Sequence, residues 1–101
     1  MLSMRDPRRR PTHPGEILRE DVLPALGITQ GDFAERLGVS RLTVSELLHE
    51  RRALSADMAV RLERLLGTTA ESWLNMQQAV DLWVLEQDAK YRRIRRLAVA
   101  A

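Results

Sequence analysis

The 101-residue chain is predicted to be all-α. Apolar residues recur at intervals of three and four through most of the sequence, which places them on one face of a helix. No segment alternates apolar and polar residues between turn signals, so we predict no β-sheet. Capping residues and terminal glycines divide the chain into five helices, and its length is that of one small domain.

The first helix is predicted to begin at Pro14. Proline is favoured in the first turn, where its missing N–H costs nothing, and Glu16 lies at the positive end of the helix. Pro24 cannot donate a hydrogen bond inside a helix, so we expect this helix to end near Leu23. Its apolar residues are Ile17, Leu18 and Val22.

Four further helices follow, each opened by a hydroxyl side chain that can accept from a free backbone N–H. Their predicted N-caps are Thr29, Ser40, Ser55 and Thr69 or Thr68. Gly38 and Gly67 are expected to end the second and fourth helices. The third of the five helices is predicted to bury Val44, Leu47 and Leu48, and the other apolar residues at helical spacing are Phe33, Ala34, Leu37, Met58, Leu62, Leu65 and Leu66.

The last helix is extended and apolar on two faces. One face carries the residues that we take as candidates for a dimer interface: Trp73, Met76, Val80, Trp83 and Val84. The other carries Leu74, Leu82 and Leu85. Two apolar faces indicate that one packs on its own domain and the other on a partner, the alternative being that both meet one core.

The charge is distributed unevenly. The net charge is +2 and the isoelectric point about 9.9, with basic residues concentrated at both ends and an excess of acids between them. Cysteine is absent, which excludes a disulfide framework and cysteine-bound zinc. No apolar run approaches the length of a membrane span, and no signal segment is evident, so we expect a cytoplasmic protein.

Residues 29–52 carry the pattern with functional content. Two short helices meet at the tight turn Gly38-Val39-Ser40, with Ala34 where the helices approach closely. This is a helix-turn-helix pattern, whose second helix fits the DNA major groove. The segment contains four arginines and four acids, so charge alone does not predict strong DNA binding.

The register of the motif predicts the DNA contacts. Arg41 is suited to guanine, Leu42 and Thr43 to a thymine methyl, and Glu46 to the amino group of cytosine. Ser45 falls on the same side of the helix. Phosphate contacts are predicted for Gln30, Ser40, Arg51 and Arg52.

Three short motifs add a family resemblance. HPGEIL at 13–18, LGIT at 26–29 and ESWLNMQ at 71–77 resemble the HigA/VapI branch of antitoxins, and the helix-turn-helix resembles the Cro and lambda-repressor class. The resemblance implies a five-helix lambda-repressor-like domain, a homodimer, a RelE-like (HigB-type) ribonuclease toxin as partner, and repression of its own operon. It gives the DNA-contact role to Gln30, Ser40, Arg41, Leu42 and Thr43.

We therefore predict a flexible basic arm over residues 1–12, a DNA-binding and dimerising domain over 13–89, and a basic tail over 90–101. No glycine-rich phosphate loop or metal-ligand set is present, so neither an enzyme nor a cofactor is expected. His13 is expected to cap or pack at the start of the first helix. Two alternatives remain open: a free-standing repressor without a toxin, and a protein-interaction module that does not bind DNA.

Overall fold

The computed structural model describes residues 8–98, and within that range every regular element is helical. Helix α1 comprises three contiguous stretches, Pro14–Ile17, Leu18–Val22 and Leu23–Leu26. The remaining helices are α2 (Gln30–Leu37), α3 (Arg41–Leu48), α4 (Ala56–Leu66) and α5 (Ala70–Glu86). The all-α, five-helix prediction is confirmed. The part of the predicted arm over residues 1–7 lies outside the described residues.

The prediction that α1 ends near Leu23 is wrong. The helix continues to Leu26 because its middle stretch is a π-helical turn, in which the N–H of Leu23 donates to the carbonyl oxygen of Leu18, five residues earlier. This wider turn accommodates Pro24, which has no N–H to contribute to an α-helical ladder. The helix then ends at Gly27 in the left-handed conformation, with φ of 67°.

The four hydroxyl N-caps are confirmed. Thr29, Ser40 and Ser55 each accept from the backbone N–H three residues later, at 3.0, 3.0 and 3.1 Å. Of the two threonines proposed for α5, Thr69 is the cap and accepts from Ser72 at 3.2 Å. Thr68 has another role, since its hydroxyl accepts from the indole N–H of Trp73 at 2.7 Å. Local sequence therefore determines where these helices begin.

A single core lies where α2, α3, α4 and the first part of α5 meet α1. Phe33, Leu18, Val44 and Leu62 are completely buried there. Gln77 of α5 is the buried polar residue on this side, and its amide oxygen accepts from the backbone N–H of Leu54 at 2.8 Å. This bond satisfies a buried donor in the loop between α3 and α4.

The second half of α5 extends past this core. Leu82, Val84 and Leu85 are 40–52% exposed, although they belong to a regular helix. A 3-10 turn, Ala89–Arg93, follows α5, and residues 94–98 have no regular structure. The described part of the basic tail, residues 90–98, therefore does not continue the α-helix. Across residues 8–98, no helix is long and apolar enough to cross a membrane.

Candidate nucleic-acid interface

The turn of the helix-turn-helix is held by a contact from outside the motif. Gly38 ends α2 with φ of 73°, a conformation that glycine adopts without strain. The guanidinium of Arg61 in α4 donates to the carbonyl oxygens of Leu37 and Gly38, at 2.7 and 3.3 Å, and pairs with Asp57 at 2.8 Å. Arg61 is not among the residues predicted from the sequence, because nothing in its local pattern indicates a partner 24 residues away.

Helix α3 buries one face and exposes the other. Val44, Leu47 and Leu48 are at most 1% exposed, so they anchor the helix on the core. The opposite side presents the residues predicted to contact bases: Arg41, Leu42, Thr43, Ser45 and Glu46. Leu42 is 67% exposed, an unusual position for a large apolar side chain unless another surface covers it. Thr43 and Ser45 are half-buried.

The N-terminal ends of α2 and α3 lie side by side. The side chain of Arg41 passes over Gly31, where a Cβ would lie 3.7 Å from its Nε atom. Gln30, the preceding residue, is the first residue of α2. The fold therefore brings together one predicted base contact and one predicted phosphate contact, with the free N–H groups of two helix ends beside them.

Glu46 and Arg52 pair with each other in the free protein. The carboxylate accepts from Nε and Nη2 of Arg52, at 3.1 and 2.7 Å, and both side chains are partly exposed. This pair cancels the charge that Glu46 alone would present to phosphates. Arg51, its neighbour, is exposed and makes no ion pair within residues 8–98.

The C-terminal end of α3 is anchored by α1. Nη1 of Arg19 donates to the carbonyl oxygen of Leu48 at 2.6 Å and lies 3.4 Å from the carboxylate of Glu50. Glu50 has φ of 60°, the left-handed region that non-glycine residues rarely adopt, and its other oxygen accepts from Arg10 at 3.3 Å. The sequence analysis did not identify these contacts, which join residues 29 to 40 positions apart.

Gly15 is the closest point of approach between α1 and α3. A Cβ on Gly15 would overlap the carbonyl oxygen of Leu47, so only glycine fits. His13 precedes it as the N-cap of α1, with Nδ1 accepting from the N–H of Gly15 at 2.9 Å. Burial lowers the pKa of His13, which keeps the ring neutral and able to accept. Both alternatives expected for His13, capping and packing, are realised together.

The five candidates for a dimer interface fall at different depths. Trp73 is 3% exposed and belongs to the domain's core cluster, and Val80 is 5% exposed although it lies outside that cluster. Met76 and Trp83 are half-buried, and Val84 is 52% exposed. Of the two faces predicted for α5, neither is wholly free, and the exposed apolar surface is concentrated at its C-terminal end. Their role in a dimer stays a prediction.

Comparisons with known proteins agree with this geometry. Residues 18–74 match a protein-family model described as helix-turn-helix. Virulence-associated protein I of Dichelobacter nodosus is 49% identical over 76 residues, covering 75% of this chain and 70% of the relative. Antitoxin HigA-1 of Vibrio cholerae is 48% identical over 80 residues, covering 79% and 75%.

A solved structure of antitoxin GraA in complex with its operator superposes with a TM-score of 0.81 at 45% identity, covering 90% of this chain and 95% of that one. The similarity therefore extends beyond the helix-turn-helix to α1 and most of α5. The chain belongs to the HigA/VapI-type antitoxins, within the Cro and lambda-repressor-like helix-turn-helix class.

Proposed function

We propose that this protein is an antitoxin that, as a dimer, binds its own operator through α3 and represses transcription. The observation that carries the proposal is the exposed N-terminal half of α3, where Arg41 and Leu42 lie on the outer face of a helix anchored on the core. The operator complex of GraA, a relative of the same fold, supports it.

The roles of the site residues follow from the chemistry of the major groove. Arg41 is assigned to guanine, with Leu42 and Thr43 against a thymine methyl. Gln30, Ser40, Arg51 and Arg52 are assigned to phosphates, which position the helix without reading sequence. Glu46 is assigned to the amino group of cytosine. This contact requires that the guanidinium of Arg52 leaves the Glu46 carboxylate and pairs with a phosphate when DNA binds. Ser45 completes the exposed face of the helix.

A dimer fits the distribution of exposed apolar surface. Leu82, Val84 and Leu85 stand on the part of α5 that extends past the core, and a second copy would cover them. Two copies would place their recognition helices about 34–36 Å apart, in successive major grooves of a palindromic site. Sedimentation at micromolar concentration tests this directly, and a monomer would refute it.

The toxin partner is proposed from the family alone. We infer a small RelE-like, HigB-type ribonuclease encoded beside this gene and neutralised by masking, in the cytoplasm. Co-purification with the product of the neighbouring gene is the test. A protein that binds its operator but retains no such partner would be a free-standing repressor.

The DNA proposal is tested by Arg41→Ala in a binding titration against the DNA upstream of the gene. Loss of a bidentate guanine contact costs about 1–3 kcal/mol, so affinity falls by roughly 5- to 150-fold and specificity relaxes at one base pair. Arg64→Ala is the matched control, because Arg64 is an exposed arginine of α4 to which no DNA contact is assigned. Unchanged affinity and base preference for Arg41→Ala would show that the register is wrong. A wild-type protein that binds no DNA would instead favour the interaction-module alternative.

A further inference from the structure

The part of the basic tail that the structure describes, residues 90–98, carries one lysine and four arginines. Arg92, Arg93, Arg95 and Arg96 are exposed and make no ion pair within residues 8–98. Asp88, the acid just before the tail, caps the 3-10 turn, and its carboxylate lies 3.9 Å from the ammonium of Lys90. The remainder of the chain has an excess of acids, yet the four arginines do not fold back onto it.

The start of the tail is fixed beside α5. Tyr91 lines an apolar cavity of about 250 Å³ with Leu82 and Leu85. The ammonium of Lys90 lies 5.2 Å from the centre of the tyrosine ring, within cation–π range. The four arginines of the tail therefore follow a residue, Tyr91, that lies against the last turns of α5.

Val84, near the C-terminal end of α5, lies close to the C-terminal end of the recognition helix. A shallow bowl of about 280 Å³ is lined by Val84 and Asp81 of α5, by Arg51 and Arg52 after α3, and by Arg10. Lys90 follows Val84 by only six residues, a span of at most about 20 Å. Arg10, Arg51 and Arg52 therefore line one surface together with Val84, and the tail begins within about 20 Å of Val84.

We propose that the tail binds the DNA phosphate backbone next to the base pairs that α3 contacts. This inference rests on the proposed DNA-binding function and adds a second, sequence-independent contact to it. Arginines suit phosphate, and exposed flexible ones can follow the backbone without fixed geometry. The family model matches residues 18–74 and so does not include the tail.

An anionic membrane surface is the other polyanion to consider, and the fold disfavours it. Membrane-surface segments concentrate apolar residues on one face of a helix. Here the helical geometry ends with the 3-10 turn at Arg93, so Ile94 and Leu97 share no helical face with Tyr91. The tail begins within about 20 Å of Val84, which lines one surface with Arg51 and Arg52, and this placement favours DNA.

The test is the salt dependence of DNA binding by the full-length protein with all four arginines changed to glutamine (R92Q/R93Q/R95Q/R96Q). Each lost phosphate contact lowers the slope of log affinity against log salt by about 0.9, so we expect a decrease of about 2 or more. Affinity should fall about tenfold or more at low salt, and by the same factor for the operator and for an unrelated duplex.

Two controls isolate the tail charge. The double variant I94S/L97S changes the same segment without its charge and should keep the wild-type slope. Arg64→Gln removes an exposed charge on α4 and should also keep it. Circular dichroism and sedimentation of each variant check that the fold and the oligomeric state are unaltered.

The outcomes separate the two proposals. If wild type binds its operator but the quadruple variant keeps the wild-type slope, the tail proposal is overturned and the proposed function stands. If that variant keeps the slope but loses binding to phosphatidylglycerol vesicles, the tail is a membrane contact. If wild type binds neither duplex, both proposals fall.

Discussion

The two ends of α3 differ in how they are held. The N-terminal end is capped locally by Ser40 and leaves Arg41 and Leu42 exposed. The C-terminal end is enclosed by another helix, with Gly15 against the carbonyl of Leu47 and Arg19 donating to the carbonyl of Leu48. Because the C-terminal end holds α3 in place, the exposed residues at the N-terminal end can be changed without loss of stability. Changes at the C-terminal end should therefore affect stability, and those on the exposed face should affect recognition.

Gly15→Ala should give the largest effect. The added methyl group overlaps a backbone oxygen, so α1 must move away from α3 at a cost of about 2–3 kcal/mol in the free energy of unfolding. The gain in helix propensity, about 1 kcal/mol at most, does not offset this. Urea unfolding measures the difference.

Gly31→Ala is the matched control for Gly15→Ala. Its Cβ would meet Arg41 at ordinary van der Waals distance, so we expect unchanged stability or a gain of up to about 1 kcal/mol. Equal stability of the two variants would show that α1 does not constrain α3 through Gly15.

Ser40→Ala should give an intermediate effect at the opposite end. Loss of the bond to the Thr43 N–H costs about 1 kcal/mol, as for other N-caps. Ser40→Asn should restore the lost stability, since asparagine also caps helices. Arg41→Ala should leave the free energy of unfolding unchanged, although it weakens DNA binding. Thermal unfolding of the three variants compares them, and a destabilised Arg41→Ala would contradict the separation of stability from recognition.

His13→Asn should give the smallest effect, visible in the pH dependence. Burial lowers the pKa of His13 below its ordinary value of 6.5, so the unfolded chain binds the proton more readily than the folded one. The stability that depends on neutral His13 is present above about pH 6.5 and is lost as the pH falls through the lowered pKa. The slope contributed is at most about 1.4 kcal/mol per pH unit.

Asparagine caps a helix but does not titrate, so His13→Asn should lose less stability than wild type between about pH 7 and pH 5. Unfolding titrations across that range give the comparison. If the free energy of unfolding of the two proteins changed with pH in parallel, His13 would not be the source of the pH dependence.

The features predicted correctly from sequence are those determined by neighbouring residues. Thr29, Ser40 and Ser55 cap helices through bonds to residues three positions away, and the buried stripe of α3 follows from its own periodicity. The contacts that orient the motif were not predictable, because Arg61 and Arg19 reach carbonyls 24 and 29 residues distant. A surface arginine has no sequence pattern that distinguishes such a role from solvation.

The π-helical turn of α1 has a consequence for the angular register of that helix. In a regular α-helix, residues five apart differ in direction by about 140°, so Leu18 and Leu23 would point to different sides. The wider turn reduces that angle, and both leucines are buried, at 0% and 7% exposed. One extra residue in the π-helical turn thus aligns the buried faces of the two halves of α1. Deleting one residue within Leu18–Val22 would restore an α-helical ladder, and Pro24 would then obstruct it.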